Sequence, residues 1–130
     1  MDKLSASDQD EKNASIDFKP LAGEIGFEDF MKLDIRTATI LQAEKMPKAN
    51  KLLKLEVDLG FEKRTIVSGI AKHYKPEDLP GKQVVVLANL APKKLRGVMS
   101  NGMILMAEDE NGDLAFVGPE RDWKPGFQVK

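Results

Sequence analysis

Cysteine is absent from these 130 residues. That removes disulfides, thiolate metal ligands and cysteine nucleophiles together, and it fits a reducing compartment. Histidine occurs once, as His73, too seldom for a His-based metal cluster; beside Tyr74 and ahead of a loop it reads as a surface residue. No apolar run approaches the ~20 residues of a membrane span. The opening "MDKLSASDQDEKNAS" lacks the apolar core of a signal peptide. The expectation is a soluble, cytoplasmic protein without a membrane partner. Glycines at 97, 102 and 112 form neither GxGxxG nor GxxxxGK[ST], so no nucleotide-phosphate cradle is indicated. The acidic run Glu108-Asp109-Glu110 lacks the alternating spacing of a calcium loop and reads as a solvated turn. No standard catalytic constellation is present, and no cofactor or metal is expected. Aromatics are few: one Trp, one Tyr and six Phe.

What is there is charge, unevenly placed. Residues 1–26 carry three cations against six acids, which leaves seventeen cations and fifteen acids to the rest. An acidic segment precedes a mildly basic domain. Its Asp, Ser, Lys and Asn content offers too little apolar surface to offset the entropy of ordering, so 1–26 reads as a flexible linker or tail. The domain is expected over 27–130.

Within that domain, "FEDFMKLD" can make one or two helical turns, with Phe27, Phe30 and Met31 on one side. The chain then turns to strands. Residues 34–46 are β-branched, and "LKLEVDLG" (53–60) alternates, with Leu53, Leu55, Val57 and Leu59 on one face. Gly60 to Lys63 reads as a turn into "RTIVSG" (64–69), and "KPEDLPGK" (75–82) as a punctuated loop. "QVVVLANL" (83–90) and "GMILMAED" (102–109) read as strands. "DLAFVG" (113–118) reads as a hairpin partner across Asn111-Gly112, and the tail as packed irregular structure. Met99, Met103 and Met106 read as core filler. Five or six short strands without βαβ alternation predict an all-β protein. A five-stranded barrel with short helical pieces and terminal extensions is the expected solution, because closure removes sheet edges. The OB-fold is the commonest such case; an SH3-like barrel or a sandwich also fits the pattern.

The segment "APKKLRGVMSNG" (91–102) carries Lys93, Lys94 and Arg96 within four positions, beside Ser100 and Asn101. Lys51 and Lys54 lie at the start of the alternating strand, with Lys63 and Arg64 at its turn. Cations neutralise phosphate, and Ser and Asn can hydrogen-bond phosphate or sugar. A single-strand binder stacks bases on exposed aromatics, and these are scarce here. The composition therefore favours backbone and shape recognition of folded RNA.

Five segments, "FEDFMKLDIRTATI", "KANKLLKLEVDLG", "KRTIVSGIAKHY", "LANLAPKKLRGVMSNGMILMA" and "KPGFQVK", together resemble the tRNA-binding OB-fold domain family, in order over 27–130. That family includes free-standing tRNA-binding proteins, CsaA-type chaperones, a cytokine-like eukaryotic domain and the C-terminal appendage of bacterial methionyl-tRNA synthetase. The ending and the acidic lead-in are similar to the synthetase appendage. The resemblance implies a non-catalytic module that grips tRNA by shape, linked to or associated with a synthetase catalytic body. By position it makes Lys93, Lys94 and Arg96 a phosphate clamp and Ser100 and Asn101 a hydrogen-bonding lip. Asn89 and Ser68 stand beside the lip, and Lys51 takes the family's "KL" position. Asn50 departs from the family, many of whose members carry an acid there. The resemblance also implies a homodimer through the terminal extensions, where Phe27, Phe30 and Trp123 would lose water. Three alternatives remain: a free-standing CsaA-type chaperone or export factor, a stand-alone tRNA-binding protein, and a single-stranded DNA binder, which the scarcity of aromatics disfavours.

Overall fold

The computed structural model describes residues 16–130. Most of the acidic tail expected over 1–26 therefore lies outside the described residues. A single turn of helix, α1 (Phe27–Phe30), precedes nine strands: β1 (Ile35–Met46), β2 (Ala49–Asp58), β3 (Lys63–Ser68), β4 (Gln83–Leu87), β5 (Lys93–Leu95), β6 (Val98–Ser100), β7 (Met103–Ile104), β8 (Met106–Glu108) and β9 (Leu114–Phe116). The protein is mostly antiparallel β, as the sequence predicts.

The central sheet has the order β3-β2-β1-β4-β7. Strand β1 is long enough to serve two neighbours: Ile35 to Thr39 pair with β4, and Thr39 to Met46 pair with β2. The handover falls at Thr39, opposite both Gln83 and Asp58, and a register irregularity follows between Ile40 and Gln42. Such bulges bend a strand and let a sheet curl. The alternation in β2 is realised as read, with Leu53, Leu55 and Val57 fully buried, followed by Leu59. They meet Ile40, Ile66, Val84, Val86 and Ile104 in one core, closed at one end by Ile70 and Leu79. Leu79 follows a short 3₁₀ turn, Pro76–Asp78, inside the segment expected to be a punctuated loop.

The outer strands of the curled sheet approach each other without forming a continuous ladder. Two hydrogen bonds tie β3 to the end of β6 and the residue after it, just ahead of β7: Asn101 N–H donates to the Thr65 carbonyl at 2.9 Å, and Val67 N–H donates to the Ser100 hydroxyl oxygen at 2.9 Å. The edge of β3, otherwise a row of unpaired backbone groups, is thereby occupied. The expected barrel is thus a sheet sewn at its seam.

Two expectations change in detail. The segment 102–109 is not one strand: it divides at Leu105, whose N–H still bonds to Val85 O at 2.9 Å, before β8 leaves to pair with β9. The β8–β9 turn is also longer than an Asn-Gly hairpin. Asp109 Oδ1 accepts the N–H groups of Asn111 and Asp113, both at 2.9 Å. The acidic run is a turn whose carboxylate satisfies its own backbone.

The tail completes the sheet. Where β2 stops, the free edge of β1 is taken up by residues 124–129: Thr37 N–H bonds to Phe127 O at 2.9 Å, Gly126 N–H to Thr37 O at 2.7 Å, and Val129 N–H to Ile35 O at 2.7 Å. The buried Thr37 hydroxyl donates to Lys124 O at 2.8 Å and accepts from Phe127 N–H at 3.1 Å. Gln83 holds the tail further on, its amide donating to the Trp123 carbonyl and accepting the Trp123 N–H at 2.8 Å. Nearby, Arg36 donates to Asp34 at 2.8 Å and to Gly126 O at 3.0 Å. The hydrogen bond to Asp34 holds the guanidinium above the usual arginine range, with desolvation opposing it and the Asp34 charge adding to it.

Candidate nucleic-acid interface

The basic segment is built as a β-hairpin. Lys93, Lys94 and Leu95 pair with Ser100, Met99 and Val98. The two-residue turn, Arg96-Gly97, has φ of +49° and +85°. Positive φ at both turn positions is the type I′ signature, whose twist suits a tight hairpin. Glycine adopts it freely, whereas an arginine there is uncommon.

Strand alternation puts Lys93, Leu95, Val98 and Ser100 on one face of the hairpin and Lys94 and Met99 on the other. Leu95 and Val98 are half-buried against Met46, Ala49 and Val67, a small apolar cluster separate from the main core. Lys93, Lys94 and Arg96 are exposed. None of the described ion pairs involves them or Lys51. Cations so exposed can neutralise phosphate.

Grooves flank the hairpin. One, of about 410 Å³, is lined by Lys93, Ser68, Gly69, Ser100, Met103 and neighbouring apolar residues, with the carboxylate Glu108 also on its wall. Lys51 adjoins it through the backbone, since its carbonyl lies beside Gly69 and accepts the Ala71 N–H at 3.1 Å. The other groove, of about 470 Å³, is lined by Lys63, Arg64, Asn89, Pro92 and Asn101 among others. The predicted residues therefore divide: Lys93, Ser68 and Ser100 on one side with Lys51 adjoining, Asn89 and Asn101 on the other, Arg96 at the tip, and Lys94 opposite Met99 lining neither groove.

Several of them are engaged inside the fold. Ser100, expected at a hydrogen-bonding lip, is 5% exposed, and its hydroxyl holds Val67. Asn89 uses both ends of its amide to fix the entry to β1, accepting from Asp34 N–H at 2.8 Å and donating to Lys32 O at 2.7 Å. Ser68 ends β3 half-buried. Asn101 is half-buried, its N–H spent on Thr65. His73 is exposed.

Two signals escaped the sequence reading. Met99 and Met103, expected in the core, are 48% and 51% exposed beside the cations; only Met106 of the three packs against the core. Arg64 was visible only as one cation among several. Its Nη1 donates to the carbonyls of Ala88 and, at 3.5 Å, Asn101.

At the far side of β1, Phe27 is exposed and Phe30 half-buried, their ring centroids 6.2 Å apart. Trp123 is 45% exposed beneath the Arg121 guanidinium, 5.2 Å from the ring centre. Met31, Leu33, Phe127 and Val129 are exposed as well. Because Val129 bonds to Ile35, both terminal segments present apolar side chains around the start of β1.

The sequence pattern of the family described as "Putative tRNA binding domain" matches residues 35–128. The chain is 56% identical over 128 residues to a methionine–tRNA ligase of Bacteroides fragilis, covering 98% of this chain and 19% of the ligase. It thus spans about a fifth of that relative's length. Among solved structures, a MetRS-related protein from Pyrococcus horikoshii superposes with a TM-score of 0.79 at 38% identity, over 84% of this chain and 100% of that one. A chaperone CsaA from Bacillus anthracis does so with a TM-score of 0.76 at 33% identity, over 83% and 100%.

Proposed function

Because the chain belongs to the tRNA-binding domain family, we propose that it is a non-catalytic module that grips tRNA through its phosphate backbone and shape and delivers it to a methionyl-tRNA synthetase catalytic body. The observation that carries this reading is the exposed hairpin bearing Lys93, Lys94 and Arg96, none of them in a described ion pair. Backbone contacts position a nucleic acid without reading its sequence, so the module serves many tRNAs alike. Tethering it to a catalytic body raises the local tRNA concentration there without changing the chemical step. The high identity to a methionine–tRNA ligase, over a fifth of that protein, supports the assignment to that body.

The curled five-stranded sheet is an OB-fold barrel whose seam is sewn at Ser100 and Asn101. The protein works in the cytoplasm, with the translation machinery. Two copies pair through the terminal extensions, where Phe27, Phe30 and Trp123 leave water; exposed apolar patches of this kind mark interfaces.

The similarity to CsaA favours one alternative, a chaperone that holds unfolded chains on its exposed apolar surface. Fluorescence anisotropy with several tRNAs and a polythymidine competitor, over a salt series, separates the readings. Micromolar or tighter binding, alike for all tRNAs and falling steeply with salt, is expected. Absence of tRNA binding, with suppression of aggregation at stoichiometric amounts, would put the chaperone first.

A further inference from the structure

Resting on the tRNA-binding reading, we infer that Arg64 is a positioning residue, fixing the cationic hairpin to the sheet at both of its roots. Arg64 stands on β3, and its side chain is only 23% exposed. Nε is held by Glu62, which orients the guanidinium plane. Nη1 then donates to two main-chain carbonyls, those of Ala88 and Asn101. Ala88 lies between β4 and β5, where the chain enters the hairpin; Asn101 lies between β6 and β7, where it leaves. One side chain thus joins the incoming and outgoing strands to a third element.

The remaining attachments of the hairpin explain why this matters. Leu95 and Val98 pack on a cluster of only three buried residues, Met46, Ala49 and Val67. Besides that packing, the described ties to β3 are the Asn101–Thr65 and Ser100–Val67 hydrogen bonds, both at the outgoing root. At the incoming root, Ala88 N–H reaches Asp34 and its carbonyl reaches Arg64. Without the guanidinium no described hydrogen bond ties the entry to the hairpin to β3, and the directions of Lys93, Lys94 and Arg96 rest on the Leu95 and Val98 packing and the outgoing root.

Arginine suits this work because its planar fork presents five donors in fixed directions; a lysine ammonium is a point charge on a flexible stem. Arg64→Lys therefore keeps the charge and loses the tie, which separates positioning from phosphate contact. Lys63, the exposed neighbour, supplies the control.

The experiment compares the wild-type chain with Arg64→Lys, Arg64→Gln and Lys63→Gln. Amide hydrogen exchange is measured without RNA, and anisotropy with unfractionated tRNA over a salt series. Both Arg64 variants are expected to speed exchange at Asn101 and across β5–β6 while the β1–β2 ladder stays protected, and to weaken tRNA binding about tenfold. Each neutralised phosphate contributes about 0.9 to the salt slope on duplex, and the slope should fall by more than one such contact in both variants. Lys63→Gln should lose one contact at most. If Arg64→Lys binds as wild type and only Arg64→Gln loses a single contact, Arg64 is a phosphate ligand and the inference fails. Lowered melting temperature with unchanged hairpin exchange and unchanged binding by the folded protein also overturns it. Should the wild type bind no tRNA, the functional reading falls, while the exchange data still decide whether Arg64 holds the hairpin.

Discussion

The Ser100 hydroxyl accepts the backbone N–H of Val67 at 2.9 Å, inside the seam where the curled sheet meets itself. A side chain there takes the place of a strand. Ser100→Ala leaves a buried N–H without a partner, and such a loss costs about 1–3 kcal/mol. Chemical denaturation should show a lowered midpoint, with faster amide exchange at Val67. An unchanged midpoint would mean that the seam does not depend on this bond.

A second prediction concerns two glycines. A Cβ at Gly126 would stand 2.3 Å from Leu59 O, and one at Gly60 would stand 2.6 Å from Pro125 O; both residues have positive φ. The two segments cross backbone to backbone. Gly126→Ala combines a main-chain clash with a strained conformation, and should destabilise by several times the roughly 1 kcal/mol of a simple positive-φ substitution. Gly97→Ala, with φ of +85° and nothing within 4 Å, should show only the smaller effect. Thermal melts followed by Trp123 fluorescence would rank the two.

For the interface, Lys93→Ala combined with Arg96→Ala should weaken binding to every tRNA tested by similar factors. The salt slope should drop by about two phosphate contacts, each worth about 0.9. Stability should change little, because both side chains are exposed. Loss confined to one tRNA species would contradict backbone recognition.

In the core, Leu55→Ala removes a fully buried side chain from the centre of β2. Truncations of this kind cost about 2–5 kcal/mol. Urea denaturation should show the shift with an unchanged m-value.

The sequence made some of this legible and concealed the rest for physical reasons. Leu53, Leu55, Val57 and Leu59 announced a half-buried strand because period-two alternation has one structural solution. The hairpin at 93–100 did not announce itself. Its strands are three residues each, too short for a pattern, and its turn uses an arginine where asparagine or glycine would have signalled it. The resemblance placed Ser100 at a tRNA-contacting lip and Asn89 beside it, but the residues alone could not show that both side chains are also engaged inside the fold. Their partners, Val67 and Asp34, are 33 and 55 positions distant. Met103 looked like core filler beside Ile104, yet neighbouring strand residues face opposite ways.

The bonds between Thr37 and Phe127 join residues 90 positions apart. As the chain leaves a ribosome, the first strand of the sheet must wait with one edge open until the residues near 127 arrive. Local hairpins such as β2–β3 can form early, but the edge of β1 is completed only once that long loop is closed. Distant pairings of this kind slow folding. In the interval, the open edge of β1 is the segment most exposed to pairing with another chain, and the late tail is what ends that exposure.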